Sequence, residues 1–337
     1  MTSALAASIE ESALPRAAED WSPLARWIDD GATGDEALGG RLPGGWPEGG
    51  EGDRSFRFRP MTGAVELELA ESMARGPWPR RVSAALAAVL ETVAGEAATV
   101  ERVEALAVGD RQLLARALDL WLGQQGGDDG QRWMTAPCSA CDESFDFSLH
   151  LAELPVKAAA PGFPQTTVEL PWGAVELRAP TGKDQLALSL PPSDDDFAEA
   201  ESKVEDPSLR LLRRLLCRQT AAPTGKGQKK DQKTAKAEAL SRDQLEELLP
   251  RAQEALESMA PAVAESVAAS CPHCAEVTAV HVDPYLALES ASAKGILDDV
   301  HQLASAYGWT EEAILALPRS RRRAYLERLD RARGMRS

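Results

Sequence analysis

Four of the five cysteines stand in two short pairs, Cys138-Ser-Ala-Cys141 and Cys271-Pro-His-Cys274. A pair of thiolates two residues apart on a tight turn offers both sulfurs on one side of the backbone, and two such pairs supply the four ligands of a tetrahedral zinc ion. Each pair runs into an alternating segment, Ser144-Phe145-Asp146-Phe147-Ser148-Leu149 after the first and Val277-Thr278-Ala279-Val280-His281-Val282 after the second. That is the period-2 pattern of a strand leaving a knuckle. The expectation is a split zinc ribbon in which Cys138, Cys141, Cys271 and Cys274 hold a structural Zn2+. Four thiolates leave no open coordination position, which points to a structural rather than a catalytic ion.

The two pairs are separated by 129 residues, where roughly 15 to 20 is ordinary for a ribbon. A whole subdomain is therefore inserted between them. Loop-closure entropy adds only about 0.6 kcal/mol per doubling of length, far below the ~10–16 kcal/mol of structural zinc binding. A ribbon commonly has glycine directly after the second cysteine, which relieves strain as amides turn toward the sulfurs; here Asp142 and Ala275 stand there.

The second pair has another reading. Cys-Pro-His-Cys is also the active-site sequence of dithiol oxidases, so a cytoplasmic thiol-disulfide oxidoreductase using Cys271 and Cys274 is the alternative function. Such motifs open a helix after a strand, whereas Ala275 to Val282 reads as a strand. The fifth cysteine, Cys217, lies in Leu-Leu-Arg-Arg-Leu-Leu-Cys-Arg and reads as a small apolar residue on an amphipathic helix. His150, His273 and His281 lie at or near the knuckles as substitute ligands or supporting donors, and His301 pairs locally with Asp298. No His-Glu-x-x-His or Gly-x-Ser-x-Gly string occurs, and Thr224-Gly225-Lys226-Gly227 fails the phosphate-loop pattern. Asp194-Asp195-Asp196 reads as a solvated turn. No catalytic residues are assigned, and the chain is expected not to be an enzyme.

With 337 residues and 44% hydrophobic content the chain can bury a real core. Its net charge of −16 argues against nucleic acid as a partner, because phosphate binding needs a basic surface. No run of 18 apolar residues and no basic segment followed by an apolar stretch occurs, so no membrane partner is expected and reduced thiols in the cytoplasm are.

The pattern predicts an α+β fold dominated by helices, with a disordered N-terminal tail. Residues 1–53 are read as a flexible tail, since Gly39 to Gly50 is too rich in glycine and proline for regular structure. Trp21 and Trp27 within it form a short segment able to dock on a partner or on the body. Residues 54–137 form a strand-helix module, with a strand over 55–59, a helix capped by Thr62, and helices over 79–94 and 110–122. Residues 138–222 carry the first knuckle and an inserted strand-helix module, with strand over 166–178, a helix opened by Thr181-Gly182-Lys183-Asp184 in capping-box fashion, and a helix over 206–220. Residues 223–240, rich in lysine, are a linker. Residues 241–337 hold helices over 241–256 and 261–269, the second knuckle, a helix over 291–307 stopped by Gly308, a short helix capped by Thr310 and a basic helix over 319–333. The string Arg-x-Pro-Thr-Gly at 178–182 has a near copy, Arg59-Pro60-Met61-Thr62-Gly63, which hints at an internal duplication.

Three blocks of residues carry a family likeness. They are Leu106-Ala107-Val108-Gly109-Asp110-Arg111-Gln112-Leu113-Leu114-Ala115-Arg116, then Val175-Glu176-Leu177-Arg178-Ala179-Pro180-Thr181-Gly182-Lys183-Asp184-Gln185, and the stretch from Ile296 to Pro318 continued by Arg321-Arg322-Arg323-Ala324-Tyr325-Leu326. In these the chain resembles the T4-type phage baseplate protein family of contractile phage tails and phage-tail-like contractile injection systems, over roughly residues 55 to 330. The third block is the most specific, with His-x-Leu-Ala, Tyr-x-Trp, Leu-Pro and Arg-Arg-x-x-Tyr-Leu in that order. The resemblance implies a structural component or assembly factor of a baseplate, with other baseplate or tail proteins as partners, made in the cytoplasm and there incorporated into a phage-tail-like particle.

Overall fold

The computed structural model describes residues 21–29, 38–46, 53–125, 130–190, 206–221, 240–289 and 292–334. The first 20 residues, Asp194 to Asp196 and most of the lysine-rich stretch lie outside the described residues. The described chain is a mixed α and β structure in which several small antiparallel sheets are joined by helices.

The first part comprises β1 (Trp21–Pro23), β2 (Gly39–Arg41), β3 (Ser55–Phe58), α1 (Gly63–Ser72), α2 (Trp78–Val89), β4 (Leu90–Val93), β5 (Glu96–Ala97), α3 (Val100–Ala105), α4 (Val108–Gln125), β6 (Gln131–Pro137), β7 (Ser144–His150) and β8 (Pro155–Lys157). Strands β2 to β5 form one sheet in sequence order. Helix α4 is the centre of this core: Leu113, Leu114, Ala117 and Leu118 are fully buried, and Trp121 stacks on Phe58 with ring centroids 5.5 Å apart. It is surrounded on all sides: Asp110, Arg111 and Arg116 are buried with its leucines, and each is hydrogen-bonded within the core.

A second core follows. Strands β9 (Gln165–Leu170) and β10 (Gly173–Arg178) form a hairpin, α5 (Gly182–Ser189) and α6 (Pro207–Leu215) come next, and β11 (Leu216–Ala221) completes the sheet against β10. Helix α7 (Arg242–Met259), capped by Ser241 and Gln244, closes it with Leu245, Leu248 and Ala252 against Val175 and Leu177. The remainder comprises β12 (Ala262–Val263), β13 (Ser266–Ser270), β14 (Val277–His281), α8 (Leu286–Glu289), α9 (Ala293–Tyr307), α10 (Glu311–Leu315) and α11 (Arg319–Ala332). Here Gly308 ends α9 at φ 69°, and Tyr307, Trp309 and Tyr325 gather into one aromatic cluster.

Several expectations are corrected. The helix over 79–94 stops at Val89, the helix over 206–220 stops at Leu215, and the stretch 261–269 is strand. In each case a segment of four to six residues is too short for its pattern to fix a period, and an available strand neighbour decides: β3 for β4, β10 for β11, and β14 for β13. Helix α7, grouped from sequence with the C-terminal helices, belongs instead to the inserted core.

The tail reading is corrected too. Within 1–53, β1 pairs with β8, β2 pairs with β3, and Leu24, Leu38 and Leu42 are buried in the first core. The glycines mark close approach rather than freedom. A Cβ on Gly40 would stand 2.2 Å from the Trp27 carbonyl oxygen and 2.8 Å from Cζ of Phe56. The strap is pinned at its far end, where the Gly44 amide donates to Oδ1 of Asp110 at 2.7 Å.

Asp110 is fully buried, and burial pushes its carboxyl up to about 7 against the pull of the Gly44 and Gly45 amides. From its ordinary range up to about pH 7 the folded chain keeps a proton that the unfolded chain has lost. Its stabilising contribution is thus full in acid and is lost as pH rises through 7. Asp110→Asn is expected to flatten that decline, measured as melting temperature between pH 4 and 8.

The two Thr-Gly strings form matching clasps. Thr62 and Thr181 both cap helices, α1 and α5, and each forms an isolated antiparallel bridge, to Pro318 and Ala107 respectively. The Gly63 amide donates to Leu317 O and the Gly182 amide to Leu106 O. In the reverse direction, the Arg319 amide donates to Met61 O and the Val108 amide to Pro180 O. A buried arginine closes each clasp. Arg111 on α4 donates to Gln185 on α5 at 3.1 Å and to Ser83 on α2 at 2.9 Å. Arg322 on α11 donates to Glu66 on α1 at 2.7 Å and to Asp299 on α9 at 3.0 Å. Gln185 and Glu66 occupy the same turn position, four residues after the capping threonine. The set α5, α2, α3, α4 therefore matches α1, α9, α10, α11. The basic helix is not exposed on every face: Arg322 is among the most deeply buried of the described residues.

Candidate metal centre

Both knuckles are hairpin turns. In the first, β6 and β7 pair up to Pro137↔Ser144 and the turn carries Cys138 and Cys141; in the second, β13 and β14 pair up to Ser270↔Val277 and the turn carries Cys271 and Cys274. The turns share their backbone bonds. Cys138 N–H donates to Glu143 O at 3.0 Å and Asp142 N–H to Cys138 O at 3.1 Å; Cys271 N–H donates to Glu276 O at 2.8 Å and Ala275 N–H to Cys271 O at 2.9 Å. Each turn closes through a residue in the left-handed region, Asp142 at φ 59° and Ala275 at φ 63°. These are the two positions where glycine is missing.

Although 129 residues apart in sequence, the turns meet. All four sulfurs lie within 4.8 Å of one another, with Cys138 and Cys274 at 3.6 Å and Cys141 and Cys271 at 3.9 Å. Sulfurs bound tetrahedrally at about 2.3 Å from a zinc ion are about 3.8 Å apart, so the donor set fits a four-coordinate thiolate metal. The first cysteine of each pair is buried and the second faces solvent.

Backbone amides are aimed at the sulfurs. The Ala140 amide stands 3.4 Å from Sγ of Cys138, and with the Cys141 amide it draws that thiol down to about 6. The Glu143 amide pulls Cys141 down, but burial and the three neighbouring sulfurs push it up further, to about 12. Cys274 is likewise raised, the Glu276 amide being outweighed by Cys138 and by burial. Four thiols this close cannot all ionise in each other's presence; a cation at their centre removes that conflict.

Thr278 is the residue that the sequence pattern did not single out. It is buried on β14, its hydroxyl lies 3.8 Å from Sγ of Cys138, and its oxygen accepts the Ser139 amide at 3.3 Å. It thereby ties one knuckle to the other. The signal was available in the alternation of β14, which turns Thr278 inward with no apolar reason for a hydroxyl there. None of His150, His273 or His281 belongs to the sulfur cluster. Cys217 lies apart from it, exposed on β11 rather than packed on a helix. The Cys-Pro-His-Cys turn joins two strands and does not open a helix.

Comparison with protein-family models, with curated proteins and with solved structures finds no match. Among the described residues no helix is long and apolar enough to cross a membrane.

The strained turns give a test of local energetics. An L-residue in the left-handed region costs about 1–2 kcal/mol, and aspartate tolerates it better than alanine. Ala275→Gly is therefore expected to stabilise the metal-bound protein by about 1 kcal/mol and Asp142→Gly by less, read as melting temperature and as zinc retention against a competing chelator.

Proposed function

We propose that this chain is a non-enzymatic structural component or assembly factor of the baseplate of a phage-tail-like contractile injection system, fastened internally by one zinc ion. The zinc part rests on one observation: four sulfurs from two distant hairpins at tetrahedral spacing, with no other ligand type among them. Zinc is the metal of choice for a closed four-thiolate site with a structural task. The baseplate part rests on the three blocks of family likeness; the first two build one clasp and the third supplies one side of the other, so residues carrying the likeness also build the fold. Partners are other baseplate or tail proteins, met in the cytoplasm. The exposed arginines of α11, Arg321 and Arg323 among them, contrast with the net charge of −16 and offer a docking face to acidic neighbours.

The hairpin setting of Cys271 and Cys274 supports a structural over a redox role, because a turn between strands lacks the helix N-terminus that activates a dithiol pair. The decisive experiment is affinity purification of the tagged chain from producing cells, with mass spectrometry of what accompanies it. Tail and baseplate proteins in fixed proportion are expected. Fixed stoichiometry in finished particles marks a component, and presence only in intermediates marks an assembly factor. Purification without any tail protein refutes the reading.

A further inference from the structure

One clasp has a filled groove beside its arginine and the other an open one. In the copy made by α2, α4 and α5, the groove holds Tyr285. Its side chain is 8% exposed, its ring meets Trp78 at the start of α2 edge to face with centroids 6.4 Å apart, and it lies against Arg111 and Gln185. It arrives on the turn Asp283-Pro284-Tyr285, in which Oδ1 of Asp283 accepts the Tyr285 amide at 2.8 Å.

In the copy made by α1, α9 and α11, the matching walls open onto a cavity of about 580 Å3 whose opposite side is formed by Asp119 and Leu122 of α4, Arg132 of β6 and Ala287 of α8. Glu66 stands there for Gln185, Arg322 for Arg111, and Ser292 and Gly295 at the start of α9 for the start of α2. None of the described side chains plays the part of Tyr285. The rim carries Arg319 and Arg323, neither of which has an ion pair among the described residues. The volume falls within the roughly 300–1,000 Å3 typical of ligand sites.

We infer that this cavity is a socket for a tyrosine-bearing acidic turn of a partner protein, which it holds as its twin holds Asp283-Pro284-Tyr285. The occupant's class follows from the twin: an aromatic ring for the groove floor and a phenol beside Arg322 and Glu66. Its acidic flank follows from Arg319 and Arg323. The inference does not rest on the baseplate reading, because it comes from the repeat alone.

The probe is a synthetic peptide with the sequence of residues 281–289, His-Val-Asp-Pro-Tyr-Leu-Ala-Leu-Glu, titrated into the full chain by calorimetry or NMR. Saturable binding with Kd at or below about 1 mM is expected, weakened at least ~10-fold when the peptide tyrosine is replaced by alanine. Gly295→Trp supplies the blocking variant, since a Cβ on Gly295 meets nothing within 4 Å and the indole enters open space. It should weaken the peptide at least ~10-fold without lowering the melting temperature. Absence of saturable binding at several times ~1 mM, or binding that Gly295→Trp leaves unchanged, overturns the socket.

Discussion

Cys138→Ser is expected to abolish retention of one zinc per chain and to release both hairpins. Serine cannot replace a thiolate at zinc under neutral conditions, and structural zinc binding of about 10–16 kcal/mol exceeds the whole stability of most domains. Cys138 is the sharpest choice because it is buried, accepts the Ala140 amide and is approached by the Thr278 hydroxyl. Its loss removes a ligand and leaves those donors without their acceptor. The checks are metal content by mass spectrometry of the purified protein, alkylation of the remaining cysteines, and thermal unfolding. A strong chelator on the unaltered chain should reproduce the effect. The inserted core, which has its own buried leucines, should unfold separately from the rest once the clip is gone. Full metal retention by the serine variant would show that Cys138 is not a ligand.

Gly182→Ala is the second severe change. A Cβ there would lie 1.6 Å from Nη1 of Arg111 and 3.0 Å from the Glu104 carbonyl oxygen. Arginine ends usually yield, but this one is fully buried and pinned by Gln185, Ser83 and the Pro79 carbonyl. Moving it leaves buried partners unpaired, so a loss of about 3 kcal/mol is expected from crowding and broken hydrogen bonds together. Gly63→Ala in the other clasp should cost less, about 1–2 kcal/mol, because its nearest atom, Nη1 of Arg322, is 2.9 Å away. Chemical denaturation of both variants measures the ranking. Equal effects, or none at Gly182, would contradict the view that Arg111 is held rigidly at that helix end.

The four-cysteine cluster was almost wholly legible in sequence, because chemistry restricts where paired cysteines can stand and a period-2 run after each pair gave the hairpin arms. The alternation of β14 marks Thr278 as inward-facing, but only the neighbouring knuckle shows what its hydroxyl binds. Capping signals placed α1, α5, α9 and α10, where Thr62, Thr181, Gly308 and Thr310 do the work that helix ends demand locally. The failures share one cause. At 90–93, 216–221 and 262–263 the backbone state is set by a strand neighbour that is distant in sequence, and local propensity carries no record of it. Gly39 and Gly40 failed for a related reason: glycine signals either freedom or tight contact, and only Trp27 and Phe56 pressing on them decide which. The second half of the repeat was hidden because its two arginines are the same residue type in unlike surroundings, one among neutral partners and one between carboxylates.

With an ion in place, the two hairpin turns make a mechanical short circuit. The chain leaves the first core after β8 and returns to it at β12, which pairs with β8, so tension applied at the two ends of the molecule passes through that pairing and through sulfur and metal and leaves the sheet of β9, β10 and β11 unloaded. A protein built this way can transmit force along its outer parts while its middle third stays slack.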